Sequence, residues 1–249
     1  MRHDLSLSLG SAEVSPLQQA RGYSVFANGG YLVEPYVIQR IVDSDGGVLY
    51  EADPVVACTS CVIEEQRWSS NIIEDDTLAK LPKQAARTLE PRLAFQMNSM
   101  LQDVILRGTG VRAMSLGRND LAGKTGTTND QRDAWFNGYN PDLVTITWVG
   151  FDQLKPLGNR EAASRAALPV WMDFMKVALA GKPQRLLQRP EGLVTMKINA
   201  ETGQAAADTD TNTVFEIFRS ENVPAATTTV PAEIPVSGGE GATIPEQLF

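Results

Sequence analysis

The sequence has one histidine, His3, and two cysteines, Cys58 and Cys61. A serine–histidine–aspartate triad needs an imidazole base beside its serine, and His3, at the extreme N-terminus, reads as a frayed terminal residue instead. A histidine-rich metal centre is excluded on the same count. The cysteines form a single C-x-x-C, and a structural zinc site would need a second ligand pair that is missing. A local disulfide in an oxidising compartment and a thioredoxin-like motif both remain open, the polar loop context favouring the disulfide. There is no run of roughly eighteen apolar residues, so hydropathy identifies no membrane-spanning helix. The opening "MRHDLSLSLGSAEVSP" lacks the apolar core of a secretory signal. Positive charge is scarce too: 22 Lys and Arg stand against 30 Asp and Glu, and the net charge of −8 would repel a phosphate backbone. Nucleic acid is therefore not an expected partner.

What is present reads as a globular chain with local signals spaced along it. "SPLQQARGYSVFANGG" is a helix with Ser15 as N-cap, Pro16 in the first position and Gly29-Gly30 as the stop. "YVIQRIVDSDGGVLYEAD" is a hairpin turning at Asp45-Gly46-Gly47. Residues 52–88 lack periodicity and read as an irregular insertion with room for a short helix. "EPRLAFQMNSMLQDVILRGTG" is a helix whose core stripe is Leu93, Met97, Met100, Leu101, Val104 and Ile105, with its methionines in the core and Arg107 a favourable charge at its C-terminus. "LAGKTGTT", "DAWFNGYN" and "LVTITWVGFD" read as three short antiparallel strands, the last two joined at Asn140-Pro141-Asp142. "LPVWMDFMKVALAG" follows as a helix with Pro169 at its start. Beyond residue 184, "GLVTMKINAETGQAA" can form a hairpin around Glu201-Thr202-Gly203, and the Pro/Ser/Thr/Gly-rich "VPAATTTVPAEIPVSGGEGATIP" reads as a disordered tail.

The stretch "AGKTGTT", residues 122–128, admits two chemistries. A phosphate-binding P-loop requires G-x-x-x-x-G-K-[ST] leading into a helix. From Gly117 the spacing is one residue too long, and the following residues read as strand. The alternative is the K-T-G strand of serine acyl-transferases. On an edge strand Lys124 supplies positive charge, and Thr125 and Thr127, two apart, turn their hydroxyls to one side. Gly126 between them leaves room for a substrate backbone. Lysine and hydroxyls facing a cleft seat a carboxylate, and the Thr127 N–H can aim at an oxyanion. A plain turn with a solvated lysine is the structural alternative. Asp133 reads as the end of the turn and Trp135 as packing on the sheet, a cleft-lining role being the sharper option.

Around this motif, "SLSLGSAEVSPLQQARGYSVFANGGYLVEPYVIQRIVDSDGGVLYEADP", "MNSMLQDVILRGTGVRA", "LAGKTGTTNDQRDAWFNGYNPDLVTITWVGFDQ" and "LPVWMDFMKVALAG" resemble, in order, the transpeptidase domain of class A penicillin-binding proteins. The resemblance implies an α+β fold, part of the penicillin-binding/serine β-lactamase-like fold, with an antiparallel sheet and flanking helices. Residues 1–183 would be the C-terminal part of that domain, and 184–249 a C-terminal extension that includes "VFEIFRSENVP". It implies D-Ala-D-Ala transpeptidation in peptidoglycan cross-linking, without a cofactor, at the periplasmic face of the inner membrane. Peptidoglycan stem peptide and β-lactam antibiotics would be its ligands, with Lys124, Thr125, Gly126 and Thr127 as the substrate side and Lys124 and Thr127 its catalytic members.

The family's nucleophile motif, S-x-x-K, is absent: no serine here has a lysine three residues on. S-x-N occurs at Ser69-Ser70-Asn71 and Ser220-Glu221-Asn222, both out of the family's order. The expectation is a fragment, inactive alone, whose partner is the missing N-terminal part of the same protein, with a sheet face left uncovered and low stability as a result. A non-catalytic peptide- or β-lactam-binding or sensing module on the same fold is the alternative. The strand reading of the motif predicts no binding of magnesium–ATP by calorimetry; binding that Lys124→Ala abolishes would restore the P-loop.

Overall fold

The computed structural model describes residues 10, 12–57 and 83–225. His3, Cys58, Cys61, Ser69-Ser70-Asn71 and the stretch 226–249 lie outside the described residues. The chain forms two units, Met1–Leu193 and Val194–Phe249.

In the first unit, helix α1 (Pro16–Ala27) starts on a complete capping box. The Ser15 hydroxyl accepts from the Gln18 N–H at 3.2 Å, and the Gln18 side-chain oxygen accepts from the Ser15 N–H at 2.8 Å. The helix ends at Ala27 with Asn28 as its C-cap, and Gly30 follows at φ 113° with its backbone against the Leu89 carbonyl; a Cβ there would lie 2.2 Å from that oxygen. The crossing lets β1 (Tyr31–Leu32) pair with β4 (Ala86–Arg87), a short strand inside the stretch read as irregular. Between them, β2 (Arg40–Val42) and β3 (Val48–Glu51) form the expected hairpin, exposed on both faces.

Helix α2 (Pro91–Leu106) is rotated from the expected stripe. Ala94, Asn98, Leu101 and Ile105 are buried, whereas Leu93 and Met100 are exposed. Small Ala94 permits close approach, and Asn98 accepts from the buried Tyr139 hydroxyl at 3.1 Å. The side chains that fit the sheet, not the largest apolar ones, therefore set the helix's orientation.

The centre of the unit is an antiparallel sheet of β5 (Ala122–Thr127), β6 (Asp133–Asn140) and β7 (Leu143–Gly150), in that order. On one face Ala122 and Tyr139 pack with Leu101 of α2 and Tyr23 and Phe26 of α1. On the other, Phe136 meets Trp171 of helix α3 (Ala163–Ala178) edge-on, ring centroids 4.9 Å apart. Gly138 makes that seat: a Cβ there would lie 2.6 Å from the Trp171 ring. Both faces thus carry helices, contrary to the expected bare face, because α1 and α2 share one side and α3 holds the other.

Pro169 lies inside α3, not at its start. Proline forgoes one intrahelical hydrogen bond, but Ala163, Ala167, Leu168, Trp171 and Met175, on both sides of it, are all buried. That continuous apolar face holds the helix through the proline.

A buried ion pair closes the unit just before β5. The Arg118 guanidinium grips Asp120 with two hydrogen bonds, at 2.8 and 2.6 Å. Asp120 also accepts from the Arg185 backbone N–H and from Asn140, and Arg118 donates to the carbonyls of Lys182 and Pro183. The stretch leaving α3 is thereby clamped to the entrance of β5.

β8 (Leu193–Asn199), which lies in the second unit from Val194 onward, forms a hairpin with β9 (Thr213–Arg219). The hairpin expected within residues 192–206 is not formed as such: β8 takes the more distant β9 as its partner, and Ala205 makes only an isolated bridge to Ile198. Among the described residues, no helix is long and apolar enough to cross a membrane.

Burial alone would raise the Asp120 pKa, but the hydrogen bonds from Arg118, Arg185 and Asn140, with the Arg118 charge, together hold it below its ordinary value. A depressed carboxylate stabilises the fold above its ordinary pKa of 3.8, and that stability disappears as pH falls through the lower folded-state value. Urea unfolding should therefore show Asp120→Ala weaker than the parent by about 3 to 5 kcal/mol at neutral pH, with the gap shrinking only under strongly acid conditions.

Candidate functional site

β5 is an edge strand among the described residues, paired on one side with β6. The Thr128 N–H donates to the Asp133 carbonyl at 3.2 Å. Backbone groups alternate along a strand, so Gly126 and Lys124, in step with Thr128, turn theirs toward β6. Thr125 and Thr127 turn their N–H and C=O groups to the open edge. The Lys124 Nζ agrees with this assignment, since it reaches the Thr125 carbonyl oxygen at 2.8 Å.

Cross-strand partners fix the side chains. Lys124 lies opposite Asn137 and Gly126 opposite Trp135, on the face shared with α1. Thr125 lies opposite Phe136 and Thr127 opposite Ala134, on the α3 face. The four residues are adjacent, but the lysine and the two hydroxyls leave the sheet on opposite faces; the open edge is what they share. A Cβ on Gly126 would approach the Trp135 Cβ to 3.3 Å, so glycine relieves crowding there.

Both hydroxyls already have partners. Thr125 Oγ1 and Thr109 Oγ1 form a 2.7 Å hydrogen bond. Thr127 Oγ1 accepts from the Ala163 N–H at 3.1 Å and thereby caps α3, whose own N-cap residue, Ala162, has no side-chain acceptor. Beyond Thr127 the chain turns through Asp130 and Gln131, at φ 59° and 53°. Left-handed conformations of this kind in non-glycine residues gather at functional sites. The Asp133 N–H donates to the Thr128 hydroxyl at 2.8 Å, and the Asp133 carboxylate accepts from the Trp148 indole, also at 2.8 Å. Trp135 stacks obliquely on Trp148, which matches the packing role read for it. Ser220 of the second S-x-N bonds its neighbour Glu221, within the second unit.

Sequence reading missed Thr109 and the capping duty of Thr127. The Gly-Thr-Gly at 108–110 signals only a tight bend, and the missing cap before Ala163 signals only that an acceptor must come from elsewhere. Neither names its partner.

An edge with outward N–H groups, a cation and a hydroxyl suits an extended peptide that ends in a carboxylate. Comparison with known proteins gives that chemistry a context. The profile of the penicillin binding protein transpeptidase domain matches residues 3–175. Penicillin-binding protein 1A of Pseudomonas aeruginosa is 42% identical over 98% of this chain, and that of Escherichia coli K12 37% identical over 82% of it. The crystal structure of penicillin-binding protein 1A from Haemophilus influenzae superposes with a TM-score of 0.76, at 35% identity, over 91% of this chain and 35% of its own. The chain spans about a third of the length of these two curated relatives.

The cap assigns Thr127 a cost that is independent of any ligand. Thr127→Val should lower unfolding stability by about 1 kcal/mol, read from urea melts, whereas Thr127→Ser should stay near the parent.

Proposed function

The chain belongs to the penicillin-binding protein transpeptidase family, and on that premise we propose that it forms the substrate wall of a serine-type D-Ala-D-Ala transpeptidase that cross-links peptidoglycan. The observation that carries the reading is the open edge of β5, with the backbone groups of Thr125 and Thr127 turned outward beside Lys124. A stem peptide lies along that edge as an added strand. Lys124 and the Thr125 hydroxyl take its terminal carboxylate, and Gly126 admits its backbone. The Thr127 N–H donates to the oxyanion together with the N–H of the nucleophilic serine. A β-lactam carboxylate occupies the same seat. The setting is the periplasmic face of the inner membrane, where peptidoglycan is assembled.

The nucleophile belongs to a segment outside this sequence, in which no serine precedes a lysine by three residues. Without it no acyl-enzyme forms, so the chain alone turns nothing over. That absence also favours a second reading, in which the chain binds peptide or β-lactam without catalysis.

Fluorescent penicillin tests both. Covalent label is expected on a protein that joins this sequence to a family segment bearing S-x-x-K, and not on the 249-residue chain by itself. Label on the chain alone would refute an external nucleophile. Failure of the joined protein to label would favour the binding module.

A further inference from the structure

The carboxylate seat depends on where one hydrogen atom points. A threonine hydroxyl has a single proton and two lone pairs, and in the Thr109–Thr125 pair either oxygen can be the donor. If Thr125 donates to Thr109, only lone pairs face a ligand, and a carboxylate is repelled. If Thr109 donates to Thr125, the Thr125 proton remains for an acceptor at the open edge. A carboxylate accepts and cannot donate, so it selects the second arrangement, in which the two hydrogen bonds polarise each other.

Thr109 is held firmly enough for this. It lies between Gly108 and Gly110, in the bend that leaves α2. The Gly110 N–H donates to the Val104 carbonyl at 2.9 Å. A Cβ on Gly108 would lie 2.8 Å from the Val104 Cα, and one on Gly110 3.1 Å from Ile105. Two glycines thus press the bend onto the helix end and present the Thr109 side chain to β5. Thr109 lies 16 residues from its partner in sequence.

We propose that Thr109 is a positioning residue that sets the Thr125 hydroxyl as a donor and so gives the site its preference for ligands ending in a carboxylate over those ending in a carboxamide. A carboxamide presents N–H donors as well as an oxygen, so it gains less from a fixed donor. The inference rests on the reading of β5 as the carboxylate seat, and it adds a residue outside the K-T-G strand to the determinants of specificity.

The test is an NMR titration of the full chain, following β5 amides and threonine methyls, with an acylated peptide ending in D-Ala-D-Ala and with its C-terminal carboxamide. The free acid is expected to bind more tightly. Thr109→Val should reduce the ratio of the two affinities by about five- to tenfold, the worth of one hydrogen bond, mainly through weaker binding of the acid. Thr109→Ala should match it, and Thr109→Ser should restore the ratio. In a Thr125→Val background Thr109→Val should change nothing further. An unchanged ratio in Thr109→Val and Thr109→Ala, an equal loss for both ligands, or an undiminished effect in the Thr125→Val background would overturn the role of Thr109 while leaving the seat intact. If neither peptide perturbs β5 in the parent chain, the seat itself is refuted, and the inference with it.

Discussion

A β-strand offers hydrogen-bonding groups along two sides, and unmet backbone donors and acceptors are costly wherever water is excluded. β5 meets this demand on one side through β6 and, among the described residues, leaves it open on the other. The rest of the first unit keeps that half-satisfied strand straight and in place. At its start, Asp120 and Arg118 lock the approach to the strand against the segment that leaves α3. At its end, Thr127 is tied to the first turn of α3. Between these anchors the backbone groups of Thr125 and Thr127 face outward at a spacing set by covalent geometry alone. The edge is therefore preformed, and an extended peptide bound as proposed would leave little ordering of the protein to be done.

The two faces of the sheet divide the work. The α3 face is dry and tightly packed where Phe136 and Trp171 meet over Gly138. Thr125 and Thr127 sit at its margin, where each hydroxyl finds a partner. The opposite face carries Lys124, exposed and curled onto its own strand. A lysine in that posture keeps a long, flexible reach, whereas the threonines are fixed. Charge at this edge is adjustable and hydrogen-bond geometry is not.

Much of this was legible in the sequence because it is encoded locally. Ser15, Pro16 and Gln18 sit within one helical turn, and the three strands announce themselves by β-branched and aromatic residues between short turns. K-T-G is a contiguous motif, and its place on a strand followed from the residues after it. What escaped was set by contacts between distant segments. The orientation of α2 depends on Asn98 meeting Tyr139, a relation that no hydrophobic stripe encodes. The start of α3 was read at Pro169 because proline favours helix beginnings, whereas the true start at Ala163 relies on an oxygen from another element. Thr109 belongs to the same class: a threonine between two glycines carries no mark of the hydroxyl it meets. The helices on both sides of the sheet likewise came from how the segments assemble.

The capping bond between Thr127 and Ala163 closes a loop of 36 residues. An isolated segment spanning α3 cannot make it, since the acceptor sits on a strand that must first dock. The order of events in folding is thereby biased: the body of α3 can gather by local bonds, but its opening turn is completed only after the sheet has paired. The same threonine whose N–H faces the open edge thus has a side chain that registers whether strand and helix have met. Assembly of the domain and readiness of its edge are coupled through one residue.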